Sequence, residues 1–167
     1  MNTALMRACV PSIGALLLAA CAGYAPSNVH TGDSADAVSK SMGAPTARYT
    51  LPQGGTRLEF ARGPYGKHTY MVDLDAQGRV IAWHQVLTEP NFESVREGWS
   101  QNDLLMKLGS PSDRRSGGRQ GGEVWSYRYD AHFCKWFQVG LDAQGTVVDT
   151  GYGPDPMCDD YHNIGVQ

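Results

Sequence analysis

Leu74-Asp75-Ala76-Gln77-Gly78 returns 67 residues later as Leu141-Asp142-Ala143-Gln144-Gly145, and this repetition decides how the rest of the chain is read. An apolar residue followed by Asp-Ala-Gln-Gly reads as a strand running into a tight turn. Gly78 and Gly145 can take the left-handed conformation that a bulged hairpin needs. Gln53-Gly54-Gly55 recurs at the same offset as Gln120-Gly121-Gly122. Upstream, Gly32, Ser34, Val38, Met42, Gly43 and Pro45 reappear 66 residues on as Gly98, Ser100, Leu104, Leu108, Gly109 and Pro111. One inserted residue accounts for the change of offset. Distinct residue types in fixed order exclude low complexity, so the pattern predicts two copies of one small module.

Within each copy the sequence predicts a short helix followed by strands. Ser100 and Asp103 read as an N-cap with a capping acid, Leu104, Leu105 and Leu108 as an apolar stripe, and Gly109 as the stop. The first copy repeats this from Ser34 to Gly43, with Val38 and Met42 inward. Pro45 and Pro111 prevent either helix from continuing. Alternating residues then predict strands: Leu58 and Phe60, then Tyr70, Val72 and Leu74, in copy one; Trp125, Tyr127 and Tyr129, then Phe137, Val139 and Leu141, in copy two. A last strand follows each turn, at Val80–Trp83 and Thr146–Val148. The expected fold is α+β, each module a short helix on a three- to four-stranded antiparallel meander, with the two modules sharing apolar area.

The beginning of the chain reads differently. Arg7 is followed by an apolar run from Ile13 to Ala20, far shorter than a membrane span, so residues 1–20 are predicted to be an export signal. Leu18-Ala19-Ala20-Cys21 resembles a bacterial lipobox, which implies cleavage before Cys21 and its lipidation; Ala22 after it favours the outer membrane. The predicted organisation is a signal peptide at 1–20, a lipidated N-terminus and tether at 21–31, modules at 32–87 and 98–150, a connector at 88–97 and a tail at 151–167. Removing the signal from 167 residues leaves 147, and the loss of Arg7 takes the net charge from −3 to −4. With no basic excess, nucleic-acid binding is not expected.

The lipobox, the Gly98-Trp99-Ser100 helix start, Leu108-Gly109-Ser110-Pro111, Trp125-Ser126-Tyr127 and the Asp-x-x-Gly hairpin together resemble the SmpA/OmlA (BamE-like) family of outer-membrane-protein assembly lipoproteins. The tandem arrangement is also similar to the β-lactamase-inhibitor protein. The resemblance implies a lipid-anchored scaffold on the periplasmic face of the outer membrane. Its partners would be membrane lipid, through the N-terminal acyl chains, and an envelope protein. The alternative is an inhibitor or ligand-binding protein using a surface formed by both modules, or a purely structural lipoprotein.

Cys9 leaves with the signal and Cys21 is assigned to lipid, so Cys134 and Cys158 remain as a pair. In an oxidising compartment a disulfide is expected, closing a 25-residue loop; a metal site with His132 and His162 is the competing use of these thiols. No nucleophile elbow, zinc-protease helix or phosphate-binding loop occurs, so no catalysis and no cofactor are expected. Trp83, His84 and Trp99 are candidate contact aromatics, and Arg114, Arg115 and Arg119 lie in a glycine-rich basic stretch suited to an acidic partner or a plain solvated hairpin.

Overall fold

The computed structural model describes residues 25–62, 66–118 and 121–158. Cys21, the export signal, Arg119 and His162 lie outside the described residues. The chain runs α1 (Ala35–Met42), β1 (Ala47–Thr50), β2 (Thr56–Arg62), β3 (His68–Leu74), β4 (Val80–Gln85), α2 (Glu89–Glu93), α3 (Gln101–Leu108), β5 (Asp113–Ser116), β6 (Glu123–Arg128), β7 (Lys135–Leu141) and β8 (Val147–Pro154). Strands β1-β2-β3-β4 form one antiparallel sheet and β5-β6-β7-β8 a second. This is the α+β fold of two modules, each a helix against a four-stranded sheet.

The duplication holds in register. Leu58 pairs with Val72 and Phe60 with Tyr70 in the first sheet; Trp125 pairs with Val139 and Tyr127 with Phe137 in the second. All eight are buried, as a shared period-two pattern requires. The turns match atom for atom. Asp75 Oδ1 accepts from the N–H groups of Gln77 and Arg79 at 2.9 and 2.8 Å, and Asp142 Oδ1 accepts from Gln144 and Thr146 at the same distances. Each aspartate side chain thus stands in for a backbone acceptor and fixes the hairpin.

The paired glycines explain themselves sterically. A Cβ on Gly55 would overlap the carbonyl oxygen of Leu74, and one on Gly122 would overlap that of Leu141. Only glycine lets the incoming chain pass this close to the end of the neighbouring strand. The helices are capped alike as well, with Ser34 accepting from Ala37 and Ser100 from Asp103. Asp103 reciprocates by accepting the Ser100 N–H at 2.8 Å, completing a capping box. The Ser100 hydroxyl, donating to Asp103 Oδ2 at 2.7 Å, and then the Ser100 N–H hold the Asp103 carboxyl below the usual aspartate range.

Two elements depart from the sequence expectation. Arg114 and Arg115 belong to edge strand β5 rather than to a basic loop, because the turn begins only after Ser116. The connector, where Phe92 and Val95 suggest at most a partial helical turn, carries a full short helix, α2, which buries Phe92. Thr88 opens it with Pro90 in its first turn, where the missing N–H of proline costs nothing.

The two modules dock asymmetrically. Val38 and Met42 of α1 join one face of the first sheet in a core with Leu58, Phe60, Val72 and Val80. Leu104 and Leu108 of α3 join Trp125, Tyr127, Phe137 and Val139 in the second core, which also takes in Met71 from the opposite face of the first sheet. Helix α3 and its exit therefore bear on both modules. Arg57 on that opposite face makes a two-pronged ion pair with Asp73, at 2.6 and 2.7 Å, and donates to the Met106 carbonyl at 2.5 Å. Its cation meets the carbonyl-rich end of α3, where positive charge is favoured.

Candidate functional site

The end of the first module, the connector and the second module line an open groove of about 350 Å³, between Gln85–Pro90 on one bank and Tyr129–His132 on the other. Its first bank follows directly from β4 of the first module; its second is the loop between β6 and β7 of the second module. Both modules are needed to form it.

Aromatic packing builds the floor beside the groove. Phe92 from α2 stacks on Phe137 with ring centres 4.5 Å apart and meets the edge of Tyr129 at 5.0 Å. Phe137 contacts Tyr152 at 5.4 Å. The Lys135 ammonium lies 4.5 Å from the centre of the Tyr152 ring, a cation–π geometry. Glu89 closes the arrangement: its Oε1 accepts from the Tyr129 hydroxyl at 2.9 Å and from Lys135 Nζ at 3.2 Å. The Tyr129 hydrogen bond, followed by Lys135, holds the Glu89 carboxyl below its usual range. Contact with Tyr129 and Glu89 raises the Lys135 ammonium in turn. Burial, followed by the negative charge of Glu89, raises the Tyr152 phenol.

The second bank is anchored at its base. Cys134 is bonded to Cys158, with Cα atoms 6.1 Å apart, as the pairing of export with two leftover thiols predicts. The neighbouring Asp155 N–H donates to the Cys134 carbonyl at 3.2 Å, and Arg128 grips the Asp155 carboxylate through Nε and Nη2 at 2.6 and 3.0 Å. On this tied loop Phe133 is 79% exposed, and Tyr152 nearby is 45% exposed. Water contact with a ring as open as that of Phe133 costs free energy that a partner would recover.

The arrangement contains hydrogen-bonding groups that satisfy one another, flanked by open aromatic surface. Among the described residues, no group of three or more His, Cys, Asp or Glu side chains could hold a metal ion. The disulfide consumes the two thiols that a metal site would have used. No described helix is long and apolar enough to cross a membrane.

The residues singled out from sequence are dispersed. Trp83 on β4 is 41% exposed and meets Tyr70 edge-on at 6.2 Å; His84, also exposed, points from the other face of the strand. Trp99 is half-buried against the second core. Arg114 lies over Trp125 at 4.2 Å from the ring centre, and Arg115 pairs with Asp113 at 2.8 Å while reaching over Trp136. These two arginines are held by their own sheet. Glu89, Phe133, Lys135 and Tyr152 were not visible as a group, because only the folded loop and β8 bring them to α2. Phe133 did carry one signal: a large apolar residue between polar neighbours, beside a half-cystine.

No family model matches the chain, and no curated protein does. Solved structures do match it. One is a cysteine-rich secretory protein from Staphylococcus aureus, 13% identical, with a TM-score of 0.29, the match covering 79% of this chain and 46% of that one. Another is an extracellular protein containing an SCP domain from Bacillus anthracis, 11% identical, with a TM-score of 0.30, covering 93% of this chain and 50% of that one. The chain thus spans about half the length of these structures.

The SmpA/OmlA (BamE-like) resemblance is corrected: no family model matches the chain, and the solved structures that match are described as a secretory and an extracellular protein. With it go the expectations it carried: a place on the periplasmic face of the outer membrane, membrane lipid as a partner through acyl chains on Cys21, an envelope protein partner and a scaffold role in outer-membrane assembly. The physical reason lies in the motif residues. Gly109 ends a helix, Trp125 and Tyr127 fill a core, and Asp142 fixes a turn. Those are duties that any helix-plus-meander module imposes, and they do not specify an assembly role.

Proposed function

We propose that this chain is a non-enzymatic binding protein of an oxidising compartment, and that it engages a polypeptide partner through the groove between Gln85–Pro90 and Tyr129–His132. This is the reading in which both modules contribute to one surface, as in an inhibitor or ligand-binding protein. The observation that carries it is Phe133, 79% exposed on a loop that a disulfide ties to the tail. A rigid aromatic loses little conformational freedom on binding, and a pre-anchored loop loses less still. The partner's complementary feature is an apolar side chain that enters between Pro90 and Ala131 and packs against Phe133. Catalysis has no support in the geometry, where Glu89, Tyr129 and Lys135 are engaged with one another rather than with an open reacting position.

A photoreactive phenylalanine analogue at position 133 tests this in the producing cells. The expected result is one defined adduct that disappears when Tyr152→Ala or Pro90→Arg is combined with the probe. Absence of an adduct, or an adduct indifferent to both substitutions, would count against the groove.

A further inference from the structure

We propose that β4 is a self-association edge, pairing antiparallel with β4 of a second copy of this chain. Four strands end the two sheets: β1, β4, β5 and β8. Exposed edges are usually guarded by charge, proline or glycine. Strand β1 has Arg48, β5 has Asp113, Arg114 and Arg115, and β8 has Asp149, two glycines and Pro154. Residues 80–87, Val-Ile-Ala-Trp-His-Gln-Val-Leu, carry no Asp, Glu, Lys or Arg. Ile81 is 53% and Trp83 41% exposed on this edge.

The ladder shows which backbone groups are open. Val86 donates its N–H to the Thr69 carbonyl at 2.9 Å. By alternation, Met71 and Asp73 also turn their backbone groups toward β4, and their partners His84 and Ala82 answer them. Trp83 and Gln85 therefore present N–H and C=O outward, with no partner among the described residues. The start of the strand is closed, because Val80 exchanges hydrogen bonds with Gly32 and Asp33 at 2.8 and 2.9 Å. The open stretch is short and lies beyond the bulge at Ile81.

A two-fold axis through His84 fits that stretch. It sets Trp83 of each copy opposite Gln85 of the other, so that the outward groups exchange N–H···O=C bonds in both directions. The Gln85 side chain is folded back onto its own chain, with Oε1 accepting from Leu87 N–H at 2.6 Å and Nε2 donating to the Leu87 carbonyl at 3.1 Å. Its place opposite the incoming Trp83 ring is clear. No like fixed charges face each other, whereas the same operation centred on Arg115 of β5 would set that arginine directly opposite its own copy. Strand β4 is the one edge of the four without a fixed charge, which favours it for pairing with a second copy.

Sedimentation equilibrium of the purified chain from about 10 µM to about 1 mM, with amide exchange at both ends of the range, tests the proposal. Mass is expected to rise toward that of a dimer, and exchange at Trp83 and Gln85 to slow about tenfold or more, while Ala82 and His84 stay protected throughout. Trp83→Lys and, independently, Ile81→Lys should keep the chain monomeric with its circular dichroism unchanged. If one variant fails to fold, the other carries the test. A monomer at every concentration would overturn the proposal, including the case in which the edge serves a foreign strand. A dimer that survives the folded Lys variant, or that leaves Trp83 and Gln85 exchange unchanged, would overturn it too.

Discussion

The N–H of Ser110 donates to both carboxylate oxygens of Glu59, each at 3.2 Å, and so joins the end of α3 to the middle of β2. Glu59 is fully buried, and it also accepts from Thr46 Oγ1 at 3.2 Å and from the Tyr49 hydroxyl. Gly109 makes the approach possible, since a Cβ there would stand 3.0 Å from Met71 and Thr69 and 3.1 Å from Glu59. The junction between the modules is thus a satisfied polar cluster set into apolar packing.

Glu59→Ala leaves the half-buried Ser110 N–H and Tyr49 hydroxyl without their acceptor. The expected loss is about 2–4 kcal/mol of unfolding free energy, measured by urea denaturation. A loss below about 0.5 kcal/mol would mean that the junction is hydrated and weak.

The duplicated glycines should divide into two classes. Gly54 and Gly121 have φ of +79° and +75° with open space around them, so Ala at either should cost about 1–2 kcal/mol through backbone strain alone. Gly55→Ala and Gly122→Ala must displace the Leu74 or Leu141 carbonyl and should cost more than about 2 kcal/mol each. Thermal denaturation of the four variants checks the order.

Tyr127 occupies the position that Phe60 holds in the first module, and its hydroxyl is buried with no hydrogen-bond partner among the described residues. Burial raises its phenol above the ordinary value, and burial followed by Glu59 does the same for Tyr49. A group with a raised folded value contributes stability in full below the unfolded value, about 10 for tyrosine, and loses it as pH climbs beyond. Stability should therefore fall above about pH 10. Tyr127→Phe should reduce that fall and leave stability at neutral pH unchanged or higher by up to about 1 kcal/mol. Denaturant melts at pH 7 and in the alkaline range measure both effects.

Opening the Cys134–Cys158 bridge releases a 24-residue separation. Chain-entropy reasoning puts the stability lost at about 3 kcal/mol. Amide exchange in the Cys134→Ser/Cys158→Ser variant should rise mainly in residues 129–134 and in the tail, while β2, β3 and β6 keep their protection. A uniform rise across both sheets would show that the bridge supports the whole fold rather than the second bank of the groove.

Much of the fold was legible because its determinants are local. Ser100 with Asp103 caps a helix, Asp75 and Asp142 fix turns, and the alternation of Leu58 with Phe60 or Trp125 with Tyr127 fixes which face is buried. Strands β1 and β5 escaped notice because four-residue edge strands such as Asp113–Ser116 have too few apolar residues to show a period. The docking of α3 on both modules was hidden for a different reason. Arg57, Glu59 and Asp73 look like the solvent side of a strand until Ser110 and Met106 arrive from about 50 residues away. The candidate site depends on the same long-range closure, since Glu89 meets Lys135 across a sequence separation of 46. Motifs made of turn and cap residues, conversely, suggested a family that no family model supports.

The most direct test of the two-sided groove is the equilibrium affinity of the partner captured at position 133, measured for the unmodified chain, Pro90→Arg and Phe133→Ala. Pro90 stands on the connector bank and Phe133 at the edge of the second-module bank. If both banks form one site, each substitution should weaken binding about tenfold or more while both proteins remain folded. Loss on one bank alone, with the other variant binding like the unmodified chain, would contradict a single site built by both banks.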